Sequence, residues 1–164
     1  MAQLINRPTK IEHQKFRCMI MDAPNNDNIQ VYIKEMHGFG VTDVVRTCEP
    51  TYNDAILEQA GIHCHEMVFP DGDPPPEEVI RQWMTLVKEV YSNKKGAIAV
   101  HCVAGLGRAP VLVAVALIER GMEAMDAIMF IRQNRKGAIN QRQLRFLENY
   151  KPKHGGTKCK CTIM

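Results

Sequence analysis

No stretch of this 164-residue sequence comes near the roughly 18 consecutive apolar residues of a membrane-spanning helix. The N-terminus MAQLINRPTK also lacks the apolar core of a signal peptide. Net charge is small: 21 basic against 18 acidic residues leave +3, too little to imply nucleic acid as a partner. No internal repeat and no linker interrupts the chain before about residue 151. Acid is absent after Glu148, whereas Lys151, Lys153, Lys158 and Lys160 crowd the end. Residues 1–150 are therefore expected to form one domain, and 151–164 a basic, flexible tail. Six cysteines without a secretory signal point to a reducing, intracellular setting, where thiols serve chemistry more often than structural bridges. What remains, 45% hydrophobic and 24% charged, is the make-up of an ordinary globular domain.

Strand-like and helix-like stretches alternate through that domain. FRCMIM (16–21) reads as a strand, and residues 26–40 as a helix carrying Ile29, Tyr32, Ile33 and Met36 at helical spacing and stopping at Gly40. VTDVVRTC (41–48) and IHCHEMVF (62–69) are strand-like, with a short helix over 53–60 between them. PDGDPPP then breaks the chain before an amphipathic helix over 76–92. GAIAVHC (96–102) is a strand and APVLVAVALIERG (109–121) a helix apolar around most of its circumference, which belongs in the middle of a domain. Helices over about 123–135 and 140–150 complete the pattern. The alternation implies an α/β fold, a mostly parallel sheet covered by helices on both faces. Met122, Met125 and Met129 are expected in its core. His63, Cys64 and His65, with His37, raise a metal site, but on a strand Cys64 points away from the two histidines. Neither a metal nor a cofactor is expected.

The chemistry is concentrated in HCVAGLGRAP (101–110), the turn from a central strand into the buried helix. Open parallel sheets bind ligands beyond the carboxyl ends of their strands, where this turn must lie. Gly105 and Gly107 let the backbone of Val103, Ala104, Gly105, Leu106 and Gly107 curl into an anion-binding nest at a helix N-terminus. Arg108 adds a planar fork that matches two oxygens of a phosphate. Cys102 lies at the floor of the same cradle, where the helix end and the arginine favour its thiolate. A thiolate under a bound phosphoryl group is a nucleophile aimed at phosphorus. His101 is expected to brace the loop through its ring nitrogens.

Such a reaction needs an acid for the departing oxygen. Two aspartates compete in FPDGDPPP, on a loop at the same rim of the sheet. Asp71 is favoured because Gly72 lets it move with the loop, whereas Pro74 stiffens Asp73. Val103, Ala104 and Leu106 put no lysine in the cradle, which favours a phosphorylated protein over a multiply phosphorylated lipid. At the other end, Cys161-Thr162-Ile163-Met164 fits a prenylation box. One prenyl chain holds weakly, so the four lysines matter as a second attachment to an anionic membrane. Cys159 is open to a second lipid or to remaining an ordinary thiol.

VRTCEPTY, DGDPP, HCVAGLGRAPVLVA, FIRQNRKGAIN and CTIM, in that order along the chain, resemble segments of the phosphatases of regenerating liver (PRL), the prenylated branch of the protein tyrosine phosphatases. The resemblance implies a five-stranded, mostly parallel sheet, with the nucleophile on Cys102, the phosphate-binding arginine on Arg108, the general acid on Asp71 and a second, redox-active cysteine on Cys48. It also implies cyclin M-type magnesium transporters as partners, so that a regulatory binding protein using the same pocket stands as the alternative to an enzyme. The implied location is the cytoplasmic face of plasma or endosomal membranes, and the cytoplasm or nucleus without the lipid. Met67-Val68-Phe69-Pro70 departs from the tryptophan-proline pair usual before the acid. Ala109 stands where most cysteine phosphatases have a hydroxyl that helps the thiolate leave phosphocysteine, so the second step is expected to be slow.

Overall fold

A computed structural model of the chain describes residues 4–94 and 96–154. Its strands are β1 (Thr9–His13), β2 (Phe16–Met21), β3 (Val41–Arg46), β4 (His63–Glu66) and β5 (Ala97–His101). Its α-helices are α1 (Ile29–Phe39), α2 (Ala55–Gln59), α3 (Glu77–Glu89), α4 (Arg108–Glu119), α5 (Ala124–Asn134) and α6 (Gln141–Glu148), and a π-helical turn over 90–94 extends α3. The strands lie in the order β1-β2-β5-β3-β4, with β1 antiparallel to β2 and every other pair parallel. This is the mostly parallel five-stranded sheet expected.

The strand side chains alternate between two apolar layers, as a period of two requires. Met19, Met21, Val44 and Ala99 face α1 and α2, packing against Ile29, Tyr32, Met36 and Leu57. Cys18, Ile20, Val45, Ile98 and Val100 face the other layer, which holds α3, α4, α5 and α6. At its centre every residue of α4 is buried, as its all-round apolar sequence demands. Trp83 of α3 is fully buried against it and donates its indole N–H to Leu112 O at 2.7 Å. Loss of such a side chain costs about 3–5 kcal/mol. Gly40 ends α1 in the left-handed conformation (φ +81) that its lack of a Cβ permits. No helix among the described residues is long and apolar enough to cross a membrane.

The structure departs from the sequence reading in several places. The residue pattern contained no sign of β1, because TKIEH buries only Ile11 and otherwise presents polar groups, as an edge strand does. The strand expected over 62–69 ends at Glu66, and Met67 and Phe69 beyond it bury themselves in the core layer of α3 to α6. Met125 and Met129 are exposed, 45% and 54%, because α5 turns Ala127, Ile128 and Ile131 to the core instead. Met122 does pack on the core.

The beginning of the expected flexible tail is held. The Glu119 carboxylate, 7% exposed at the end of α4, accepts from the Tyr150 hydroxyl and from the backbone N–H groups of Lys153 and His154, the latter two at 2.9 Å. Glu77 at the start of α3 pairs with His154 at 3.3 Å. Cys159, Cys161, Lys158 and Lys160 lie outside the described residues.

Candidate active site

β3 and β5 are parallel neighbours, with Arg46 opposite His101, so their carboxyl ends open on one rim. Residues 102–107 form a loop there, between the end of β5 and Arg108, the first residue of α4. Its shape is set by where its carbonyls go. Cys102 O accepts from His101 Nδ1 (3.2 Å), Val103 O from Ala23 N (2.9 Å), Ala104 O from Arg135 Nη2 (3.2 Å), Gly105 O from Arg135 Nε (2.7 Å) and Leu106 O from Ile139 N (2.7 Å). Every partner of Val103, Ala104, Gly105 and Leu106 lies outside the loop. In a trans peptide the carbonyl and the next N–H point opposite ways. Four carbonyls held outward therefore turn the N–H groups of residues 104–107 inward, the arrangement that binds an anion.

Arg135 is the clamp of this arrangement, and sequence reasoning gave it no role. Its guanidinium, in a residue 7% exposed, also donates to Thr9 Oγ1 at 3.0 Å and pairs with Asp22 Oδ1 at 2.6 Å. A fork with five donors in fixed directions can hold two successive carbonyls in this way, and a lysine cannot. Gly105 completes the fit. It has φ +67, and a Cβ there would stand 2.5 Å from Arg135 Nη2 and 2.8 Å from Met21 O. The one available signal was that Arg135 falls within FIRQNRKGAIN.

Cys102 is buried at the base of the loop. Arg108 reaches back across the rim, and its Nη1 donates to Phe69 O at 3.2 Å. Arg108 Nε is buried without a hydrogen-bond partner, 3.7 Å from Asp71 Oδ1. Val103 and Leu106 are exposed and give the loop an apolar rim. Ala109 is fully buried.

His101 is held on both sides. A carbonyl only accepts, so Nδ1 carries the proton toward Cys102 O, and Nε2 of the neutral ring accepts from the Tyr52 hydroxyl at 2.8 Å. Burial depresses the His101 pKa from 6.5 to about 4 and keeps the ring neutral. Cys48 lies just beyond β3, buried, with its Sγ 3.9 Å from His101 Nδ1. Burial raises its pKa first, Arg108 opposes this, and the charge on Cys102 adds to it. Both cysteines are free thiols here.

The two aspartates of the neighbouring loop have different surroundings. Asp73 is tied to Arg142 at 2.6 Å. Asp71 is 86% exposed, and its 3.7 Å approach to Arg108 is made at the edge of the cradle. In the segment Met67-Val68-Phe69-Pro70 the Met67 and Phe69 side chains are buried, and the Phe69 carbonyl is held by Arg108. The histidines considered for a metal are paired elsewhere: His63 with Glu58 at 3.7 Å, His65 with Asp43 at 2.9 Å, and His37 with Ala60 O at 2.9 Å.

A cysteine beneath a strand-to-helix phosphate cradle, closed by an arginine at the helix start, defines the class of cysteine-dependent phosphatases. The family model of the DSP-PTPase phosphatases of polymorphic toxin systems matches residues 19–122. The human protein tyrosine phosphatase type IVA 3 is 49% identical over 152 residues, covering 91% of this chain and 88% of its own. The PRL-1 phosphatase of Drosophila melanogaster is 46% identical over 162 residues, covering 95% and 92%. A solved protein tyrosine phosphatase structure from Leishmania major superposes with a TM-score of 0.81 at 41% identity, covering 89% of this chain and 99% of that one. The chain belongs to the protein tyrosine phosphatase type IVA (PRL) family.

Proposed function

We propose that this protein is a cysteine-dependent protein tyrosine or dual-specificity phosphatase that works through phosphocysteine. The observation carrying this reading is the unpartnered, buried Nε of Arg108 beside a loop whose amides face inward above Cys102. A buried donor without a hydrogen bond is costly, and a phosphoryl oxygen satisfies it. Sγ of Cys102 forms a bond to phosphorus as the bond to the leaving oxygen breaks, and Asp71 gives that oxygen its proton. The Asp71 carboxylate then takes a proton from water, which attacks phosphorus, breaks the S–P bond and releases phosphate and the thiolate. The exposed Val103 and Leu106 at the mouth suit a phosphorylated protein side chain. Rapid-quench kinetics on an aryl phosphate test the scheme. One equivalent of alcohol is released in a burst by the wild type and none by Cys102→Ser. An unchanged rate in that variant ends the proposal.

Ala109 beside Arg108 offers no hydroxyl to the departing thiolate, so phosphocysteine breaks down slowly. That same feature favours a second reading, in which the cradle serves recognition of a cyclin M-type magnesium transporter with little turnover. Rapid steady-state turnover of a phosphoprotein would count against it.

Two attachments accompany the chemistry. Peroxide oxidises the Cys102 thiolate to sulfenic acid, and the Cys48 thiol condenses with it to a disulfide, releasing water. Cys48 Sγ lies 3.9 Å from the ring of His101, the residue before Cys102, and the charge of Cys102 raises the Cys48 pKa, which supports this pairing. After peroxide, peptide mapping finds a reducible Cys48–Cys102 bridge; equal over-oxidation of Cys102 in the wild type and Cys48→Ser removes Cys48 from the scheme. Farnesylation of Cys161, with the lysines of the tail, holds the protein on the cytoplasmic face of plasma or endosomal membranes. Cys161→Ser then shifts it to the soluble fraction of a prenylating cell, and unchanged fractionation refutes the anchor.

A further inference from the structure

The loop that carries Asp71 is a four-residue turn held by both legs. Asp73 N donates to Pro70 O at 3.2 Å, closing the turn Pro70-Asp71-Gly72-Asp73 with Gly72 in the left-handed region (φ +79). Asp71 occupies its second position, near the apex. One leg is fixed where Arg108 Nη1 donates to Phe69 O. The other leg rests on the first turn of α6. Asn140 Nδ2 donates to Gly72 O (3.1 Å), Gln143 Nε2 to Asp73 O (3.3 Å) and Arg142 Nη1 to Asp73 Oδ1 (2.6 Å).

That turn of α6 is a firm support. The Asn140 side chain accepts from Gln143 N and the Gln143 side chain from Asn140 N, a reciprocal cap. Gln143 is fully buried, and its amide lies against the phosphate loop, where a Cβ on Gly107 would stand 3.3 Å from Nε2. One helical turn thus touches both the cradle and the loop that must close over it.

We propose that the Arg142–Asp73 ion pair is the latch that fixes Asp71 over the cradle, which makes Arg142 and Asp73 positioning residues for the acid step. The inference rests on the reading of Asp71 as the general acid. Asp71 itself is 86% exposed and has only the long approach to Arg108. Its position is therefore set by the legs of its turn. The two hydrogen bonds from the Asn140 and Gln143 amides end on backbone carbonyls, and the ion pair is the side-chain contact that adds charge to the same leg. Its arginine is exposed, 70%, so the latch exchanges with solvent and opens at little cost.

The test compares kcat/KM for two aryl phosphates, one with a poor and one with a good leaving group, because only the poor one needs Asp71's proton. Arg142→Ala and Asp73→Ala each lower the poor-to-good ratio about two- to fivefold, the scale of an exposed ion pair. The double alanine variant loses no more than either single one, and the exchanged pair Arg142→Asp with Asp73→Arg recovers part of the ratio. On an Asp71→Ala background, Arg142→Ala leaves the ratio where Asp71→Ala put it. Equal losses on both substrates, additive single effects or no recovery by exchange overturn the latch. If Asp71→Ala itself fails to change the ratio, the acid assignment falls and the latch with it.

Discussion

The two loops that meet over Cys102 are built by opposite means. In the phosphate cradle, four successive carbonyls are tied outward, and the chief clamp, Arg135, is buried with an acid of its own. The loop of Asp71 is held in part by side chains that reach it from solvent, Asn140 and the 70%-exposed Arg142, and the Asp71 carboxylate itself is almost fully exposed. Binding a dianion rewards donors that need no rearrangement on arrival. Delivering and recovering a proton rewards a group that moves and meets water. On the proposed mechanism burial divides the labour: recognition sits in fixed backbone, and the proton carrier sits on an adjustable turn.

The sharpest way to break this contrast is at Asp71. Asp71→Ala should slow an aryl phosphate with a poor leaving group about 10²–10⁴-fold, and an activated one much less. Equal losses would make Asp71 part of the cradle rather than a mobile acid.

The fixed side is tested by pH. Burial holds the His101 pKa near 4 against an ordinary 6.5, so the unfolded chain binds the extra proton first. Stability should be full above about pH 6.5 and fall as pH drops toward 4, by about 3 kcal/mol in total from this group. Urea melts across that range should show the decline, and a His101→Gln variant a flatter profile.

Arg135→Ala should lower kcat/KM about 10²-fold through a misplaced cradle, by the same factor for good and poor leaving groups, and weaken vanadate binding in parallel. Arg135→Lys should recover little, because an ammonium cannot hold two carbonyls in a plane. A loss that grows with the leaving group's pKa would show the two loops to be one unit. The smallest effect is expected of Ala109→Ser. A hydroxyl there should speed steady-state turnover several-fold and leave the burst in place, as continuous phosphate release would register.

How much of this was legible in the chain depended on distance along it. His101 to Ala109 announce themselves because nine adjacent residues carry the cysteine, the loop and the arginine, and their place at the junction of β5 and α4 follows from apolar periodicity. Cys48 needed only the pairing of two strands. The clamp was invisible because Arg135 and Asp22 are 113 positions apart, and Asp73 lies 69 from Arg142. Charged residues so separated read as surface until the fold brings them together. The methionines of α5 misled for a different reason: their spacing matches a buried stripe, but Ala127, Ile128 and Ile131 form a competing one that the core accepted.

The carboxylate of Glu119 that gathers Tyr150, Lys153 and His154 stands at the far end of the helix that begins with Arg108. Twelve residues of helix make a strut of about 18 Å. The stretch from Tyr150 to His154 is therefore kept at a set distance from the catalytic mouth, by a rod buried along its whole length. An insertion of one helical turn near the end of α4 would move the site that gathers Tyr150, Lys153 and His154 by about 5 Å relative to Arg108, without altering a single group of the cradle.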